Sequence, residues 1–446
     1  MEPVAKRRNE LSELVQLLDD QPLGPAHPLY FPFHEAPGDV RGADAIADLR
    51  ACISIRAPRE SCQLFSGFWG SGKSTELRRL EAELASLGHS VIVVPAGRVL
   101  HLYKAPEVTD LMVSVAAGVA HEMTAQKLGT VAEKTIAERF QTFFARLQLK
   151  EIKLGAGIGN ESDPVQFVSE LSFELAKDAS FKSQIQEALR GKLAVVTEEF
   201  RKFMGEVRRV LEVDAQAPSP VLIVDDLEKL QGSGREDVDV QSSVEQIFAS
   251  FHDQLKVSKW HLVWAVPPYL QLLNSKIPQQ YDNSVVLPMV RLWHNDPSRS
   301  PDNDGLSAMR NCLEKRGPVR SLFPDDQCYH DLIKASSGHL RGLIKLVQKV
   351  VTKAYQKKDP TEPVNRNDVY TIIQDHVRSQ QNAMFKEDDP WLIEIAEHRS
   401  LRPNNELSVP RLARLLDTAV VMSYRNGDQW LDIGYAAQEL LQLQKD

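Results

Sequence analysis

The sequence is poor in cysteine, in long apolar runs and in positive charge. Of 446 residues four are cysteine, Cys52, Cys62, Cys312 and Cys328. Their scatter contains none of the close pairs that a zinc site or a disulfide framework uses, so free thiols in a reducing compartment are expected. No stretch approaches the roughly 18 uncharged residues that span a bilayer, and the opening MEPVAKRRNELSEL lacks the apolar core of a secretory signal. The expectation is a cytoplasmic protein with no membrane role. The formal net charge of −8 argues against a general nucleic-acid coat. What is present suits a globular protein: 42% hydrophobic and 26% charged residues, with length for roughly two to four domains.

The pattern divides the chain into four stretches. Residues 1–39 read as a polar helix (4–19) followed by a Pro-rich extended arm, QPLGPAHPLYFPFHEAPGD. Residues 40–299 alternate helices with short apolar strands, CQLFS, SVIVVPA, VLIVDD, HLVWAV and SVVLPM, the order of a parallel α/β sheet with crossover helices. A helical insertion occupies about 100–215. Within it Val196, Phe200, Phe203, Met204, Val207, Val210 and Leu211 share one helical face, expected to pack inside the insertion rather than to await a partner. Residues 300–383 read as an all-helical lid. Residues 384–446 give two amphipathic helices and then two strands joined at Asn426-Gly427, a tight-hairpin dipeptide. Helix, helix and a two-stranded wing is the order of a winged helix.

The chemistry concentrates in GFWGSGKST (67–75). Its Gly67, Gly72, Lys73 and Ser74 fit G-x-x-x-x-G-K-[ST] between a strand and a helix. Phosphate oxygens need several backbone N–H groups converging on them. Gly67, Gly70, Ser71 and Gly72 supply that backbone, and the helix N-terminus adds its positive end. Lys73 would bridge the β- and γ-phosphates of ATP, Ser74 would hold Mg2+, and Thr75 would lie near the α-phosphate. The second element is VLIVDDLEKL. Its strand delivers Asp225 to the carboxyl edge of the sheet, where it would hold Mg2+, with Asp226 placed to polarise an attacking water. Glu228 is a second candidate base. A solvated loop acid is the favoured reading for it, since a residue beyond the strand end ordinarily points elsewhere.

Together, GFWGSGKST, VLIVDDLEKL and the further strand HLVWAV resemble the additional-strand P-loop ATPases, which include the AAA+ and STAND proteins. SSGHLRGLIKLV (336–347) is similar to the sensor-2 helix of AAA+ and origin-recognition ATPases, which would give Arg341 the γ-phosphate contact. The terminal winged helix fits the same group. LFSGFWGSGKSTELRRL resembles ATPases of bacterial conflict and phage-defence loci. The resemblance covers about 40–100 and 215–446 and implies a P-loop NTPase fold, ATP and Mg2+ as cofactors, and ATP hydrolysis. Two departures stand out. No arginine occurs from Trp260 to Met289, where AAA+ proteins usually carry one acting in trans, and Val266, Pro267 and Pro268 stand where a polar sensor is common. Slow or partner-completed hydrolysis is the expectation, with Arg291, Arg316 and Arg320 as remaining finger candidates, each read first as an ordinary surface or phosphate-independent arginine.

Charge weighs on the choice of partner. Residues 386–446 hold 7 Lys plus Arg against 11 Asp plus Glu, a balance of −4. Arg411 and Arg414 on the recognition-helix position favour phosphate, but duplex binding needs a basic surplus that this segment lacks. The leading expectation is an ATP switch coupled to self-association or to an effector protein. The alternative is a DNA-directed ATPase of initiator, loader or transposition-regulator type. A small-molecule kinase shares the glycine loop, but the long lid and wing disfavour it.

Overall fold

Five apolar runs form one sheet: β1 (Ser61–Gly67), β2 (Val91–Pro95), β3 (Val221–Asp225), β4 (His261–Val266) and β5 (Asn283–Leu287), in the order β2-β3-β4-β1-β5. The pairs β2/β3, β3/β4 and β4/β1 are parallel. β1, β3 and β4 are buried along their whole length, as central parallel strands covered on both faces must be. The expected α/β sheet is present. Leu64 of β1 and Val224 of β3 both lie opposite Trp264 of β4, so Ser66 and Asp225 end on one edge of the sheet, on either side of the end of β4.

The computed structural model describes residues 2–57, 59–125, 130–149, 163–212, 217–232, 236–400 and 409–443. Parts of two sequence readings, 126–129, 150–162 and 213–215 of the insertion and 401–408 and 444–446 of the winged helix, lie outside these. The chain forms two compact units, one of residues 1–45, 67–79 and 287–446, the other of 46–66 and 80–286.

The second unit carries the sheet and the helical insertion. The helix Val108–Ala125 is buried over most of its length and packs on β2. A Cβ at Gly118 would lie 2.3 Å from Val94 Cγ1, so only glycine lets the helix approach the strand this closely. The helices Thr130–Arg146, Pro164–Lys177, Ala179–Leu189 and Leu193–Leu211 complete the insertion. The stripe on the last of these packs inward as expected: Val196, Phe200, Phe203, Met204 and Val207 are buried, with Phe203 against Phe140 and Phe143. Each such side chain contributes about 1.5–3 kcal/mol by leaving water. An ion pair is sealed in the same body. Lys182 and Asp110 are each 1% exposed and 3.6 Å apart, with Lys182 Nζ donating to the carbonyls of His101 and Lys104.

The first unit holds four long helices, Asn303–Glu314, Asp326–Ala335, Leu340–Gln356 and Arg366–Gln381, against which the N-terminal helix Glu2–Leu17 docks through Leu11, Leu14 and Leu18. Two helices, Asp389–His398 and Val409–Asp417, precede the antiparallel hairpin β6 (Val421–Asn426) and β7 (Asp428–Ile433). The two strands join at Asn426-Gly427 as expected, with Asn426 opposite Asp428 and the turn centred on Gly427 at φ +86. A further helix, Tyr435–Leu443, follows the wing and packs on Arg366–Gln381. Asp432, fully buried in β7, gathers Arg299 Nη2 at 2.5 Å, Trp293 Nε1 at 3.0 Å and Arg399.

Candidate functional site

The glycine loop lies in the first unit. Between β1 and the helix Lys73–Ser86, Gly70 and Gly72 adopt φ of +83 and +96, a region that strains any side chain. Gly70 is required twice over, because a Cβ there would lie 2.6 Å from Arg341 Cβ and 2.7 Å from His339 Nε2. Ser71 and Lys73 are buried, while Ser74 and Thr75 in the first helical turn are half-buried. The helix opens at Lys73, so its positive dipole end follows directly on the loop.

Three consecutive carbonyls of the loop are held from outside it. Trp69 O accepts from His339 Nε2 at 2.7 Å, Gly70 O from the Arg341 amide at 3.1 Å, and Ser71 O from Arg41 Nη2 at 2.6 Å. The Leu23 amide donates to Thr75 Oγ1 at 3.2 Å. His339 must carry its proton on Nε2 to make its bond. Burial pushes its pKa down to about 4, so the ring is neutral near pH 7. Arg41 is 6% exposed and its guanidinium sits 4.6 Å over the Phe33 ring. Beside it Arg79 bonds Glu76 and Asp44, each at 2.9 Å, and burial, then the Glu76 charge, raises the Tyr30 hydroxyl above its ordinary range.

Arg341 stands at the start of the lid helix Leu340–Gln356. Its guanidinium lies 4.9 Å over the ring of Trp69, and its Nε is 2.7 Å from Asp20 Oδ2. The other arginines weighed as fingers are committed elsewhere. Arg291 is buried, bonding Asp302 at 2.5 Å and the carbonyls of Gly38, Asp39 and Arg425. Arg316 is buried against the Cys312 carbonyl, so both take the phosphate-independent alternative. Arg320 pairs with Asp326.

The acids lie in the second unit. Asp225 ends β3, and its Oδ1 accepts from the Asp226 amide at 2.8 Å. Asp226 takes the left-handed φ of +73 and so bends the chain into the 3-10 turn Leu227–Lys229. That turn corrects the reading of Glu228 as a solvated loop acid: it is 7% exposed, and carboxylate oxygens of Asp225, Asp226 and Glu228 lie within 4.8 Å of one another. Three carboxylates form the hard oxygen set that suits Mg2+. Asp226 is also 2.5 Å from Lys229 Nζ.

Arg41, His339 and Asp20 escaped the sequence reading. His339 stands inside the quoted SSGHLRGLIKLV, two residues before Arg341, and was legible there as a polar neighbour of a sensor. Arg41 and Asp20 carry no local signal, since a lone charge in a Pro/Gly-rich arm is ordinarily solvated.

No protein-family model matches the sequence, and no curated protein is similar enough to count as a relative. Among solved structures, the chain is distantly similar to Cdc6p from Pyrobaculum aerophilum, at 12% identity over 96% of this chain and 98% of that one with a TM-score of 0.36. It is similar to the ORC2 protein of Aeropyrum pernix, described in ADPNP and ADP complexes, at 11% identity over 96% and 98% with a TM-score of 0.38. A RuvB variant from Thermotoga maritima gives 12% identity over 58% and 94% with a TM-score of 0.25. Superpositions this loose assign no activity.

Proposed function

We propose that the chain is a Mg-ATP-binding switch ATPase of the AAA+ kind, whose nucleotide state governs self-association or contact with an effector protein. The observation that carries this is the position of β4 between β1 and β3, since an extra strand between the loop strand and the acid strand is what defines the additional-strand class named above. Lys73 takes the β- and γ-phosphates, the N–H groups of Gly67, Gly70, Ser71 and Gly72 line the cradle, and Thr75 lies beside the α-phosphate. Ser74 and Asp225 hold Mg2+, which when bound neutralises charge on the β- and γ-oxygens.

Glu228 has a better claim to the attacking water than Asp226. The Asp226 carboxylate is occupied by the Lys229 ammonium, which leaves fewer of its lone pairs for a water. Arg341 reads the γ-phosphate and relays its presence to the lid helix, so ATP and ADP states hold different lid arrangements. A protein partner is favoured over duplex DNA because the arginines of the wing are committed: Arg399 to Asp432, Arg425 to the Gly427 carbonyl, and Arg414 to Asp388 and the Ala383 carbonyl. DNA binding that survives physiological salt would reverse that choice. A setting in bacterial phage defence rests on the look of residues 64–80 alone, and protection of a host by the parent but not by Lys73→Ala is its test.

The ATP reading itself is tested by titration calorimetry with Mg-ATP and by phosphate release. Lys73→Ala is expected to weaken binding at least about a hundredfold, the loss of a charge-assisted grip worth about 3 kcal/mol. Unchanged turnover in that variant ends the assignment.

A further inference from the structure

We propose that His339 and Arg41 are positioning residues that preset the glycine loop for anion binding, an inference that rests on the ATP reading above. In a trans peptide the C=O and the following N–H point in opposite directions. By holding the Trp69 carbonyl outward at 2.7 Å and the Ser71 carbonyl outward at 2.6 Å, the two side chains turn the N–H groups of Gly70 and Gly72 the other way. The positive φ of both glycines is the backbone state that this orientation needs. An untethered loop would sample conformers with carbonyl oxygens facing the phosphate, and those repel it. The tethers leave the loop little to reorganise on binding. Neither residue needs to touch the nucleotide.

The two tethers arrive from opposite ends of the chain. Arg41 follows directly on the N-terminal arm, and its burial against Phe33 fixes the guanidinium in place. His339 is the residue before the lid helix, so any rotation of that helix pulls on the Trp69 carbonyl. Lid position and phosphate affinity are thereby linked through this bond, beside the one from the Arg341 amide to the Gly70 carbonyl.

The test uses the full chain with two probes, Mg-ATP and inorganic tripolyphosphate, followed by calorimetry, steady-state kinetics and a thermal melt. His339→Ala and Arg41→Gln are expected to weaken both probes about tenfold. KM should rise while kcat stays within about twofold. His339→Gln, whose amide nitrogen reaches the place of Nε2, should restore affinity to within about threefold. Should His339→Ala fail to fold, His339→Asn fills most of the ring's volume but stops short of the carbonyl and is expected to show the same loss. Unchanged affinity in a folded His339→Ala protein whose parent binds both probes overturns the inference alone. A loss confined to Mg-ATP, with tripolyphosphate unaffected, overturns it too, because it places His339 at the nucleotide rather than behind the loop. A parent that binds neither probe overturns the ATP reading and the inference with it.

Discussion

At the scale of single residues, the site is decided by how each acid is placed. Asp226 is tied to Lys229 and half-buried, while Glu228 is buried and folded back into the cluster by a 3-10 turn, so two acids near in sequence should not be equivalent. Glu228→Gln is expected to lower kcat at least about a hundredfold with ATP binding retained, whereas Asp226→Asn should lower it by about tenfold or less. Single-turnover phosphate release separates the two, and equal effects would remove the distinction. Asp20 offers a second contrast. Its carboxylate holds Arg341 at 2.7 Å, so a γ-phosphate must compete for the same guanidinium. Asp20→Asn should therefore tighten ATP binding several-fold, leave ADP nearly unchanged, and lose this effect in an Arg341→Ala background.

At the scale of elements, the hairpin shows how the terminal segment spends its charge. Asp432 has no exposed surface, and two arginines and a tryptophan N–H converge on it. Removing one partner of a buried pair strands the other. Asp432→Asn is expected to destabilise the protein by about 3–5 kcal/mol in urea denaturation, far more than an exposed pair such as Arg190–Glu187 (i,i+3) could contribute. The same pairing explains why a segment with several arginines offers little free positive charge to DNA. Among the described residues Lys386 and Arg411 remain exposed, and two cations make a poor electrostatic footprint.

For the whole molecule, one buried and two half-buried histidines, His261, His339 and His376, shape the response to acid. His261 has no exposed surface and its pKa is pushed down to about 4 by burial, then by the neighbouring His89, against the opposing fields of Asp282 and Glu60. His339 and His376 are lowered to about 4 as well, each chiefly by burial. The unfolded chain takes up these protons near pH 6.5 and the folded one only near 4. Their stabilising contribution is complete above pH 6.5 and is lost as pH falls through that window. For fully buried His261 alone the loss approaches about 3 kcal/mol. Asp110, raised to about 6 mainly by burial, acts with the opposite sign over much of the same range, but it is one group against three. Urea midpoints should fall steadily from pH 7 to pH 4.5, and His261→Gln should flatten the profile.

The sequence by itself determined the local chemistry. GFWGSGKST declares a phosphate loop because the pattern and the conformation it needs are contiguous. The five apolar runs declare strands, and the spacing of Val196 to Val207 declares a packed helical face, because periodicity is a property of neighbours along the chain. Tertiary structure alone decided what depends on distant partners. It chose β4 to stand between β1 and β3, folded Glu228 inward, consumed Arg291, Arg316 and Arg414 in internal bonds, and brought Arg41, Asp20 and His339 to the loop. The reason is physical: a side chain's charge is written in the sequence, but whether that charge is already satisfied depends on burial and on partners hundreds of residues away.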